Sequence, residues 1–557
     1  MPYFENSKRT VARHSVFNDI AGDFIVYDFP NSQEEEKILA ALNPAVVERK
    51  QYDVPGCMEG TRRGVFEKID GWLNDFGAPN ILWISGSPGS GKSAVASSLV
   101  SELIKRQRLA SYFFCKRDHT RLGDPAVLWR TVASDLARFH PGVKSILLEF
   151  LKKVDFRDTD ISLHFHCLIM EPLIKNPDRS SPPVVVLDAL DECGTDESQS
   201  AQRRILLETI ALWSSRLPPT CKLVVTSRDE CVQAPTHSGP LFHHIMLETG
   251  YLASHSAAED IRIFFEQSFA DITPGLGLPT MWPGKLKKMQ LIERAAGLFI
   301  WAKTIIAFIA ENQGNPETNL QLILEGELGK GRESIDSLYR QILHFAFKNA
   351  NETTLELFRA VVGTIAIAKI PLHRNDLKHY LAREDAEDDR QIGVILHKLS
   401  SVISNGKDGL LHIRHLSFVE FLTDVERCRE FFIDQNRYRQ NFTLTCLRLM
   451  NQELRFNICG LETSHYRNDD MKKPIPIPAH LSYSCRFWAE HLEEGDERHD
   501  RHALLKEMQH FLYTHFLFWL EVLSLAKELP VAQRALLTTI RWLGVSVSAL
   551  SYTEHRI

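Results

Sequence analysis

Residues 81–99 read ILWISGSPGSGKSAVASSL: an apolar run, a glycine-rich loop, and a helix that starts at Lys92-Ser93. Ile81, Leu82, Trp83 and Ile84 fit a short strand buried on both faces, and Val95, Leu99 and Leu103 recur at helical spacing behind the loop. Gly86, Gly91, Lys92 and Ser93 fill the fixed positions of G-x-x-x-x-G-K-[ST], which a chain of this length should contain by accident only about 0.01 times. The loop Gly86, Ser87, Pro88, Gly89, Ser90 and Gly91 is built to wrap a polyphosphate. Its glycines let the backbone curl so that amides point inward, and Lys92, Ser93 and Ala94 open a helix whose positive dipole end faces the same place. Lys92 is placed to bridge the outer phosphates and the Ser93 hydroxyl to ligate Mg2+. A nucleoside triphosphate site on an α/β P-loop sheet is the expectation. Gly89, Gly91 and Ala94 also satisfy G-x-G-x-x-[GA], but a dinucleotide site leaves Lys92-Ser93 without a role, and no acid closes the next strand, YFFC at 112–115.

The second half of such a site is PPVVVLDALDEC at 182–193, an apolar strand that ends in carboxylates. Asp188 would hold the Mg2+ through water, and Asp191 or Glu192 would position or activate the attacking water. On its own this is an acidic turn after a strand; beside a P-loop it acquires a function. A third apolar strand, KLVVTSRDE at 222–230, ends at Thr226-Ser227-Arg228. Ligands of doubly wound sheets sit at the carboxyl ends of the strands, so Arg228 should face the same crevice and sense the terminal phosphate bidentately.

The order SGSPGSGKS, VVVLDALDE, VVTSR resembles the NACHT class of signal-transducing (STAND) P-loop NTPases, and within it the fungal, NLR-like proteins with a nephrocystin-type module. CMEGTR at 57–62, AAGLFIWA at 295–302, RHLSFVEFL at 414–422, LRFNICGL at 454–461 and HLSYSCRFWAEHL at 480–492 extend the resemblance over nearly the whole chain. Small Ala189 after Asp188, followed by Asp191-Glu192, is the detail most similar to that class. The resemblance implies a switch that rests closed on ADP, exchanges it for ATP on stimulation, and opens to self-associate; slow hydrolysis resets it. It also implies that His415 touches the phosphates from a winged helix, although a histidine at a helix start is equally a cap, with Ser417 beside it. Thr61 and Arg62 are similar to the segment that runs past adenine and ribose. Where many relatives carry Gly-x-Pro against adenine, this chain has Gly297-Leu298-Phe299; Phe299 either stacks on the base or fills core.

The 557 residues suffice for three or four domains, and 44% hydrophobic residues supply their cores. A net charge of −6 without a long basic run gives no reason to expect nucleic acid as a partner. The ten cysteines lack paired spacing and read as reduced thiols in a cytoplasmic protein. MPYFENSKRTVARHS lacks the apolar core of a signal peptide, and the most apolar helix, 296–310, is short and interrupted by Lys303, so no membrane segment is expected. Breaks in the pattern divide the chain into an N-terminal arm (1–60), a nucleotide-binding domain (61–250), a helical domain (251–333), a winged-helix-like domain (334–425) with strands at SVIS and LLHIR, and a C-terminal helical region (426–557) without a 20–50 residue repeat. His164, His166 and Cys167, and likewise His480, Cys485 and His491, do not have the spacing of a zinc finger and read as helix core, caps or surface. Arg117, Arg121 and Arg130 are the candidates for a finger to a neighbouring subunit if the chain is instead an oligomeric motor. A scaffold that holds nucleotide only for stability is the remaining alternative.

Overall fold

The apolar runs become strands buried according to their rank in one sheet. In the computed structural model, β1 (Ile81–Gly86), β3 (Val184–Asp188) and β4 (Lys222–Ser227) are buried at every position, whereas β2 (Leu109–Phe114) and β5 (His243–Leu247) are partly exposed at the edges. All pairings are parallel and the order is β2-β3-β4-β1-β5. The structure describes residues 33–45, 54–117, 119, 121–152, 160–176, 182–194, 199–229, 242–250, 253–311, 315–325, 332–348, 350–381, 386–406, 408–460, 477–493 and 501–544. Most of the N-terminal arm and the glycine-rich stretch before Arg332 lie outside them.

Strand periodicity divides the side chains between two cores. Ile81 and Trp83 of β1 join Phe113, Trp129 and Trp213 on one face, and Leu82 and Ile84 join Val95, Leu99 and Trp72 on the other. Trp129 and Trp213 stack 6.1 Å apart, and Trp129 Nε1 donates to the Thr209 hydroxyl at 2.9 Å, so the polar edge of this large ring is satisfied in the core. The consequence for function lies in the order. Inserting β4 between β1 and β3 brings the end of each strand to one rim: the loop after Gly86, Asp188 at the end of β3, and Arg228 just past β4.

Beyond the sheet the described chain is helical except for a small antiparallel sheet, β6 (Leu372–His373), β7 (Ile403–Asn405) and β8 (Leu410–Ile413), in the order β6-β8-β7. With the helices Leu377–Tyr380 and Ala386–Lys398 it makes a winged-helix arrangement. The expected SVIS strand starts two residues late, at Ile403, and β6 escaped detection because two residues carry no period. One continuous core runs from Ile261 to Trp542, through the proposed boundaries at 333 and 425. The aromatic stretch 511–529 is divided: Phe511 and Trp519 are fully buried, while Tyr513 and Leu517 are exposed. Among the described residues no helix is long and apolar enough to cross a membrane, and the nine described cysteines are free thiols.

Candidate nucleotide site

The loop after β1 has the geometry that its glycines permit. Gly89 and Gly91 have φ of +81° and +96°, and a Cβ on Gly89 would stand 2.0 Å from Ile300 Cγ2. That contact presses the loop against the start of helix Phe299–Glu311, and the Ile300 N–H donates to the Gly89 carbonyl at 3.1 Å. Helix Lys92–Lys105 starts at Gly91 without a side-chain cap, which leaves its first-turn amides for an anion. Lys92 Nζ closes the loop on itself, donating to the carbonyls of Gly86 (2.7 Å) and Ser87 (3.1 Å). Burial pulls its ammonium pKa below the usual lysine value, against the attraction of Asp191 and Asp188. The Ser90 hydroxyl is buried in this cradle with no protein partner. An unsatisfied donor, uncapped amides and a half-buried cation all fit a polyphosphate.

Asp188 lies at the bottom of the same crevice. Its Oδ1 accepts from the Thr226 hydroxyl at 2.5 Å, and the Thr226 Oγ1 in turn accepts from the Ala189 N–H at 2.9 Å. Thr226 thereby fixes the turn in which Ala189 adopts φ +54°. Burial raises the Asp188 pKa, while hydrogen bonds from Thr226 and Ser93 oppose the rise. Ser93 and Asp188 line the same cleft, where they could hold one Mg2+ between them. Asp191 is buried and Glu192 lies at the rim, where its Oε2 accepts from the Arg117 N–H at 3.3 Å.

Arg228 joins three elements. Its backbone N–H and its Nε reach the two carboxylate oxygens of Asp191 at 3.1 and 3.0 Å, and its Nη2 reaches Glu420 Oε1 at 2.5 Å. Glu420 belongs to helix Leu416–Leu422, which follows β8 of the small sheet. That helix is anchored independently: Arg427 pairs bidentately with Asp336 at 2.8 and 2.6 Å and also donates to the Glu420 carbonyl at 3.1 Å. The sequence predicts Arg228 in the crevice but gives it no partner. The signal lay in the quoted segment RHLSFVEFL, whose only acid is Glu420.

His415 caps the same helix and faces the same cleft. Its Nδ1 accepts from the Ser417 N–H at 3.1 Å and lies 2.7 Å from the Ser417 hydroxyl, which is 2.9 Å from Tyr339 Oη. Burial, then repulsion from Lys92, pushes its pKa down to about 4, so the imidazole is neutral at neutral pH. A neutral ring that accepts at Nδ1 carries its proton on Nε2, which remains a donor. The two readings of His415, cap and phosphate contact, are thus compatible, since the cap uses only Nδ1.

Arg62 approaches from the other side. Its N–H donates to Asp260 Oδ1 at 2.8 Å, its Nη2 donates to the Ser90 carbonyl at 2.5 Å, and its guanidinium lies 4.9 Å from the centre of the Phe299 ring. Thr61 instead turns inward, its hydroxyl donating to the Met58 carbonyl at 2.7 Å. Phe299 lines the cleft and Leu298 is core. Arg121 and Arg130 are engaged within the chain, on the carbonyls of Asn43 and Ala126. The P-loop, Asp188, Asp191, Glu192, Arg228, Phe299 and His415 line one cleft of about 650 Å³, within the range of nucleotide-sized pockets.

Comparison with known proteins agrees with this geometry. Residues 60–228 match the family model described as nephrocystin 3, N-terminal. The vegetative incompatibility protein HET-E-1 of Podospora anserina is 25% identical over 482 residues, covering 81% of this chain. The chain spans about a third (34%) of that relative's length. Among solved structures, a STAND protein with a tetratricopeptide repeat sensor from Pyrococcus horikoshii is 13% identical over 88% of this chain and 59% of its own, with a TM-score of 0.39. The ORC1 protein of Aeropyrum pernix, solved in complex with DNA, is 14% identical over 70% and 97%, with a TM-score of 0.29. Scores of this size add nothing to what the strand order and the site residues already state.

Proposed function

From the chain's membership in the NACHT class of STAND P-loop NTPases, we propose that it is a cytoplasmic signalling switch that binds ATP or ADP with Mg2+, hydrolyses ATP slowly, and self-associates when ATP holds it open. The observation that carries this reading is the helix Leu416–Leu422 seated over the cleft, with His415 and Glu420 both directed at the P-loop side. The segments 251–333, 334–425 and 426–557 share one core, so in this reading they move as one body against 61–250.

In this reading the first-turn amides and Lys92 hold the phosphates, Ser93 and Asp188 hold Mg2+, and Glu192 activates the attacking water. Asp191 keeps Arg228 oriented until a terminal phosphate competes for the guanidinium. The His415 Nε2–H donates to a phosphate oxygen in the closed form. A bound Mg2+ would neutralise charge that develops on the transferred phosphoryl group.

The direct test is to denature the purified protein and quantify what it releases: near-stoichiometric ADP is expected, and an empty protein would overturn the resting state proposed here. Glu192→Gln should lower the hydrolysis rate by about 10²-fold or more and leave ATP bound and the protein assembled. A scaffold that uses nucleotide only for stability would be indifferent to that change in a light-scattering measurement of its mass. His415→Ala should speed ADP release by roughly 10-fold, the value of one hydrogen bond to a charged group. An unchanged off-rate for a fluorescent ADP analogue would return His415 to a purely capping role.

A further inference from the structure

Where the winged-helix arrangement meets the C-terminal helices, three potential metal ligands converge from separate elements. His379 sits on helix Leu377–Tyr380, Glu453 ends helix Gln435–Glu453, and His480 is the second residue of helix Ala479–Glu493. One ligand atom from each lies within 4.8 Å of the other two. His480 Nε2 is 2.9 and 3.0 Å from the two Glu453 oxygens, and its Nδ1 faces Asp376 Oδ1 at 3.8 Å. Its ring stacks on that of His379 with centroids 4.1 Å apart. Spacing along the chain had grouped His480 with Cys485 and His491. Those two enter the core, His491 within 2.9 Å of Tyr483 Oη, while His480 turns the other way.

We propose that His379, Glu453 and His480 bind one divalent transition ion of the zinc type. Two imidazoles and one carboxylate are a donor set that zinc favours, with water completing a tetrahedron. Zinc bonds of about 2.0–2.1 Å set the donors about 3.3 Å apart. The Glu453–His480 pair is already near that separation, and the His379 ring, now stacked on His480, would have to turn out of that stack to bring a nitrogen to the ion. Asp376 then accepts from Nδ1–H of His480, the carboxylate that usually orients a metal-bound histidine. Charge closes as well: two neutral imidazoles and two carboxylates sum to minus two, which a divalent ion cancels. The ion would lock helix Leu377–Tyr380 to the C-terminal helices, across a junction where Tyr380 Oη donates to the His480 carbonyl and the Lys369 N–H donates to Tyr483 Oη. Lys369 also lines the nucleotide cleft, so the ion would brace one of its walls.

The test uses the full chain, stripped with a chelator, kept in Mg2+ and ADP, and titrated with Zn2+ or Co2+. One ion per chain is expected, with visible cobalt bands of a nitrogen and oxygen donor set, and a raised Tm. His379→Ala should weaken binding by at least about 10–100-fold and abolish the rise in Tm, and Glu453→Gln should act likewise. Lys92→Ala should leave zinc binding intact, which separates this site from the nucleotide. Binding far below one ion per chain, equal affinity in wild type and His379→Ala, or a thiolate-to-cobalt band that puts the ion on cysteines would overturn the proposal. His379 is half-buried, so its variant should fold and decides the matter even if Glu453→Gln does not.

Discussion

Lys92→Ala should empty the protein of nucleotide. In the present arrangement the ammonium closes the loop on itself, donating to the carbonyls of Gly86 and Ser87. With phosphates in the cradle it makes charge-assisted bonds, each worth about 1.5–3 kcal/mol. Losing two of them lowers affinity by roughly 10²–10⁴-fold. Alanine is the best helix former and Lys92 begins a helix, so the variant should fold and melt near the wild type measured without nucleotide. Chromatography of the nucleotide released on denaturation checks this: a variant that still carries stoichiometric ADP would show that the P-loop is not the binding site.

Glu420→Ala should open the closed form without harming ATP binding. Arg228 and Glu420 are each less than one-fifth exposed, and their pair is the direct ion bridge found between the nucleotide sheet and helix Leu416–Leu422 among the described residues. Truncating one partner of such a pair costs about 2–5 kcal/mol, largely because the other charge is left without its complement. Arg228 retains Asp191, which favours the lower end, about 2 kcal/mol or roughly 30-fold in the closed-to-open ratio. The expected result is faster ADP release and a larger hydrodynamic radius at equal protein concentration, with ATP bound at least as tightly as in the wild type, because ATP prefers the open form. Equal ADP off-rates and equal radii in variant and wild type would reduce the bridge to a packing detail. Arg228→Ala differs in a useful way, since it removes the bridge and the proposed phosphate sensor together and should lose hydrolysis as well.

Legibility in the sequence followed the range of the interactions concerned. The P-loop, Asp188 and Arg228 were readable because each depends on a strand and the turn directly after it, a span of about ten residues. His415 was readable only as an alternative between two roles, because its capping bond is local and its approach to Lys92 is not. The sequence groups Thr61 and Arg62 because they are adjacent in the chain, yet the Thr61 hydroxyl is engaged on the Met58 carbonyl while the Arg62 guanidinium reaches the Ser90 carbonyl, beside a left-handed turn at Arg62 (φ +60°). Asp260, Thr226 and Glu420 position site groups from outside their own segments; Glu420 stands out locally as the lone acid of its segment, but no local pattern says which group such a carboxylate or hydroxyl positions.

The sequence by itself determined that this chain has a phosphate-binding loop on a parallel sheet, because glycine freedom, strand apolarity and helix periodicity are local properties that neighbouring residues dictate. Tertiary structure alone decided that β4 lies between β1 and β3, which delivers Arg228 to the P-loop, and that a helix far along the chain roofs the cleft. It also decided that the three helical segments drawn apart by their loops share one core from Ile261 to Trp542. Loop composition marks where the chain turns. Which faces then bury one another depends on apolar area matched across hundreds of residues, and that is settled only when the elements pack.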